Sequence, residues 1–196
     1  METYTRTTEY STAASSLMLI INHLKPDFQL DTENEFRIWM SSVNLPTRAC
    51  SIYGLAIFAK KLGLEPKIVL EEKEYEYPDY RFKGYTKQEI DQAKFASKLR
   101  HKDARAIGIP IEERTFDLEE VKRLVEKGHV ILLRVNAGAL RDKGSVSNYV
   151  VVYSYKDKFS MVDPVQGKIT VGYERLQEAF ETLVTKKKRD HRMIIF

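Results

Sequence analysis

The chain has 196 residues, 43% hydrophobic and 31% charged, with a formal net charge of +4, a profile that fits one globular domain over residues 1–196 with core enough to fold without staples. Its one cysteine, Cys50, excludes an intramolecular disulfide and a cysteine-paired zinc ribbon, and points to a reducing, cytoplasmic setting. Five basic residues against one acid in residues 185–192 account for the whole net charge, so there is no broad phosphate-binding face and nucleic acid is not an expected partner.

The polar start, Met1-Glu2-Thr3-Tyr4-Thr5-Arg6, lacks the pattern of a signal peptide. The longest apolar stretches, Leu17 to Ile21 and Tyr149 to Tyr153, are far below the roughly 20 residues that a membrane helix needs. Ser11 to Leu24 predicts a buried central helix, with Ala13, Leu17, Ile20, Ile21 and Leu24 at helical spacing. Asn34 to Met40 is a shorter helical segment carrying the only tryptophan, Trp39. Ser51 to Leu62 reads as a third helix, capped by Ser51 and stopped by Gly63, and Lys67 to Leu70 as a strand.

Residues 71–85 are irregular and dense in tyrosine, with Tyr75, Tyr77, Tyr80 and Tyr85. Thr86 and Glu89 stand at capping-box spacing and open a polar helix to about Ala104, and Asp117 and Glu120 repeat the device before Leu118, Val121, Leu124 and Val125. His129 to Val135 and Asn148 to Tyr155 are strands by their β-branched and aromatic content. Lys156-Asp157-Lys158 turns the second of these into Phe159 to Asp163, and Lys168 to Val171 follows. A helix with Leu176, Ala179, Phe180 and Leu183 and a strand from Met193 to Phe196 complete an antiparallel sheet. Helices early and strands late predict an α+β fold.

Three segments in this order resemble the bacteriocin-processing (double-glycine leader) cysteine peptidases of the papain-like superfamily. They are Tyr10 to Met18 at the start of the central helix, Ser51 to Ala56 with Leu62-Gly63-Leu64, and Leu124 to Gly128 leading through Asn148 to Tyr153 to Asp163-Pro164 and Gly167. The resemblance implies a papain-like fold, with N-terminal helices packed on a C-terminal antiparallel sheet. It also implies a nucleophile at a helix N-terminus, a histidine base opening one strand and an orienting residue closing the next.

In this chain those positions fall on Thr12, Asn148 and Asp163, and only the last keeps the family residue type. The glutamine that helps hold the oxyanion falls near Arg6. An asparagine cannot take and return a proton near neutral pH, and a threonine hydroxyl without a base is a poor nucleophile. The bland roles are plain: Thr12 as a helix cap, Asp163-Pro164 as a turn, Cys50 as a small buried hydrophobe and residues 185–192 as a solvated helix end. His23, His101, His129 and His191 share no metal-ligand spacing, so no metal or cofactor is expected.

The resulting expectation is a catalytically degenerate cysteine-peptidase-like domain that binds or regulates a peptide or protein in its inherited cleft, with the tyrosine-dense segment as a rim. The competing expectation is an active hydrolase or acyl transferase with a displaced centre around Thr12 and Asp163 or Cys50. Abundant charge with only five Asn and five Gln leans towards a thermophilic source. Oligomeric state is not read from the sequence.

Overall fold

In the computed structural model, residues 1–73 and 83–196 are described. Tyr75, Tyr77 and Tyr80 lie outside them. Three helices come first: α1 (Thr12–Leu24), α2 (Thr32–Ser42) and α3 (Ile52–Lys61), with the two-residue strands β1 (Val43–Asn44) and β2 (Ala49–Cys50) between the last two. Strand β3 (Lys67–Leu70), helix α4 (Lys87–Ala106), strand β4 (Ile111–Glu113) and helix α5 (Leu118–Glu126) follow. The remainder is β5 (Ile131–Asn136), the single turn α6 (Ala137–Leu140), β6 (Ser147–Tyr155), β7 (Phe159–Asp163), β8 (Gly167–Val171), α7 (Tyr173–Thr185) and β9 (Arg192–Ile195).

Local chemistry sets most boundaries. Thr86 and Glu89 form a complete capping box at the start of α4. Asp117 accepts from the Glu120 N–H at 2.7 Å to open α5, and Asp31 does the same for Asn34 in α2. Gly63, at φ +79°, follows α3 in the left-handed region that glycine enters without strain. Ser51 stands at the N-cap of α3 as the sequence predicts, but its side chain makes no capping bond.

The main sheet has the order β4-β3-β9-β5-β6-β7-β8. It is antiparallel except at one edge, where β3 and β4 run parallel. The expected C-terminal antiparallel sheet is thus extended by β3, from the first half of the chain, and by β4, a three-residue strand that the sequence does not announce. A second departure is layering. Along β5, Leu132 joins the core formed with α1 and α3, while Ile131, Leu133 and Val135 join the core formed with α5 and α7. Helices therefore cover both faces, and the strand reads as a continuous apolar run because neither face meets water.

Candidate functional site

Helix α1 is anchored on β6 by its own side chains. Ser16 Oγ, one turn beyond Thr12, donates to the Tyr149 carbonyl at 2.9 Å, which brings the helix start towards the strand start where Asn148 stands. Thr12 and Asn148 line one cleft of about 330 Å³, together with Cys50, Tyr10 and Tyr85. Two of the three expected site residues thus share the cleft, and Tyr85 of the tyrosine-dense segment is also in its lining. Asp163, fully buried at the end of β7, is not in that lining.

Asp163 reaches the cleft through Arg141. Arg141 Nε and Nη2 each donate to the Asp163 carboxylate at 2.7 Å, in the bidentate fork that a guanidinium makes with a carboxylate. With the Asn148 amide turned to meet its neighbours, its oxygen accepts from Arg141 Nη1 at 3.1 Å and its nitrogen donates to the Ser147 carbonyl at 3.0 Å. One guanidinium thus links the residues at the base and orienting positions. Asp163 also serves its turn: Oδ1 accepts from Val165 N–H at 2.9 Å and its carbonyl from Gln166 N–H at 3.1 Å.

A second guanidinium meets Thr12. Arg6 Nη1 donates to Thr12 Oγ1 at 2.6 Å and to the Glu9 carbonyl at 2.7 Å. Its backbone N–H is held by the Pro164 carbonyl at 3.0 Å. Burial, and then the like charge of Arg141, lower the Arg6 pKa. The capping role read for Thr12 is replaced: Ser11 occupies the N-cap, and Thr12 Oγ1 takes Arg6 instead of a backbone N–H.

Cys50 sits in the cleft lining, but burial pushes its thiol up to about 11, against the opposing effects of Ser42, Arg100 and the Ala14 backbone. That favours the protonated, unreactive form. The histidines are dispersed. His101 packs edge-on to Tyr53, and His129 Nδ1 lies 3.0 Å from the Phe196 carbonyl. His191 stacks on Phe180 at 3.6 Å and pairs with Glu71 at 3.0 Å. Among the described residues no group of three or more His, Cys, Asp or Glu side chains is placed to hold a metal ion.

The basic stretch near the end does more than cap a solvated helix. Lys186 and Lys188 are exposed, but Asp190, His191 and Arg192 are buried, and both Arg189 and Arg192 line the cleft. The solvated-end reading holds for Lys186 and Lys188. Sequence reasoning passed over Arg141, Arg134 and Arg192. Arg134 carried a signal, a lone charge inside the apolar run Val130 to Val135. Arg141 carried none, since it follows a single helical turn with no periodicity.

An α+β fold with a helix start set against an antiparallel ribbon, and a carboxylate closing the strand beyond, fits the papain-like architecture. The Peptidase_C39 like family matches residues 1–186, and the chain belongs to that family. Comparison with curated proteins gives no match. No helix among the described residues is long and apolar enough to cross a membrane.

Proposed function

We propose that this member of the Peptidase_C39 like family is a catalytically degenerate domain, spanning residues 1–196, that binds or regulates a peptide or protein instead of cleaving it. The observation that carries the reading is the Arg141 guanidinium, hydrogen-bonded on one side to Asn148 and on the other to Asp163. Peptidase chemistry at these positions needs an imidazole that takes a proton from the nucleophile and returns it to the leaving group. A guanidinium offers only donors and neither gives nor takes a proton near neutral pH. Thr12 Oγ1 accepts from a second guanidinium, Arg6, instead of donating to a base. The elevated thiol of Cys50 supports the same reading. A free thiol in a chain with no second cysteine suits a reducing cytoplasm, and the charge-rich, amide-poor composition a thermophilic source.

The test is hydrolysis of a mixed peptide and ester panel by the unmodified protein, Thr12→Ala, and the restored Thr12→Cys/Asn148→His variant. The unmodified protein is expected to be inactive, with activity gained only in the restored variant. Turnover by the unmodified protein that disappears in Thr12→Ala would make the chain a threonine-dependent hydrolase and end the degenerate reading.

A further inference from the structure

The cleft beside Thr12 and Asn148 is lined by three arginines, Arg134, Arg189 and Arg192, and among the described residues by no aspartate or glutamate. The rest of the lining is largely hydroxyl and amide, including Thr47, Ser51 and Ser97. Behind it, the fully buried carboxylate of Asp190 braces two of the arginines. It accepts from Arg134 Nη1 at 3.1 Å on one oxygen and from Arg192 Nε at 2.6 Å on the other. Arg134 Nε also donates to Ser147 Oγ at 3.1 Å, next to Asn148.

Arg192 is the anchor. It is 9% exposed, with Nη2 fixed on the Glu72 carbonyl at 3.0 Å, and its Nη1 makes no hydrogen bond among the described residues. Burying a guanidinium is costly unless its donors are met. Here two donors are held by the scaffold while the residue lines the cleft. Such an arrangement presents a fixed donor to an incoming oxyanion at little entropic cost.

We infer that the cleft takes a carboxylate-bearing peptide segment, with Arg192 as its principal contact and Arg134 and Arg189 as the surrounding positive wall. The inference rests on the binding-module reading above and names the chemistry of its ligand. A peptide is favoured over a nucleic acid because outside residues 185–192 the chain carries no net charge, so it offers no extended basic surface for a phosphate backbone. Carboxylates recognised by guanidiniums form short, charge-assisted hydrogen bonds, and the donors must match one short ligand segment in a cleft of about 330 Å³.

The experiment titrates the full chain with two capped hexapeptides, one of alternating Ala and Asp and one of alternating Ala and Asn, and with a thymidine hexanucleotide. Trp39 fluorescence serves as a readout, because Trp39 is the only tryptophan and its ring lies 4.9 Å from that of the cleft residue Tyr10. The aspartyl peptide is expected to bind roughly ten-fold or more tightly than the asparaginyl one, and less tightly at high salt. Arg192→Gln should abolish that preference. Arg189→Gln, at a half-buried position of the cleft lining, should reduce it while the protein stays folded by circular dichroism. Equal binding of both peptides overturns the carboxylate assignment and leaves the binding-module reading standing. Binding of neither peptide overturns both. Tighter binding of the oligonucleotide overturns the choice of a peptide.

Discussion

Arg141 and Asp163 face each other through two parallel hydrogen bonds, with side chains 5% and 0% exposed. In so dry a place the pair is held by mutual necessity: removing one partner strands the other without solvent. Arg141→Met should therefore cost about 3–5 kcal/mol in urea unfolding, whereas Arg141→Met/Asp163→Leu should recover a large part of that loss. A single variant as stable as the parent would show that water already reaches Asp163. The local places of Thr12, Asn148 and Asp163, at a helix start, a strand start and a strand end, were legible in the sequence because each adjoins a recognisable pattern. Arg141 was not, because its role is set by a fold-back of the chain from residues 137–146 onto β7, which no local pattern encodes.

Elements of the N-terminal half are tied together by one acid. Glu35, fully buried in α2, accepts from the Tyr4 hydroxyl at 2.8 Å, the Thr7 N–H at 3.0 Å and the Ser15 hydroxyl at 2.8 Å. It thereby joins the leading segment, α1 and α2. Burial alone would raise the Glu35 carboxyl, but hydrogen bonds from Ser11, Thr7 and Ser15 outweigh it and hold the group below its ordinary value. Folding thus favours the ionised form. Its contribution is complete above the unfolded value of about 4.3 and is lost as pH falls through the lower folded value. Thermal unfolding followed from pH 6 to pH 2 should show a loss of Tm on acidification that is shallower in Glu35→Gln; identical slopes in the two proteins would remove Glu35 from the account. At this scale the sequence was most readable where side chains cap helices, as at Thr86, Glu89 and Asp117. It was least readable for β1, β2 and β4, whose two or three residues are too few to display any period.

Across the whole molecule, the order of strands is the feature that no periodicity carries. Alternation and β-branching identify a strand but not its neighbour, and β3 pairs with a segment 128 residues away at one end, Lys67 opposite Ile195. Strand β9 lies between β3 and β5 and pairs with both. Among the described residues, the parallel β3–β4 pair and the β5–β8 ribbon are therefore joined by backbone pairing within the sheet only through β9. Deleting residues 192–196 should abolish cooperative unfolding by circular dichroism, since it removes an interior strand of the sheet and takes Met193, Ile194 and Ile195 from the two cores. A sharp transition in the truncated chain would mean that the halves fold apart. The same strand begins with Arg192, whose guanidinium borders the cleft. The cleft wall is thus finished by the segment that locks the sheet, and before β9 docks, β3 and β5 each offer an open edge for unwanted pairing. Once it docks, any ligand gripping Arg192 is thermodynamically linked to that closure: it adds its binding energy to the seam, so an occupied cleft is also a more tightly fastened sheet.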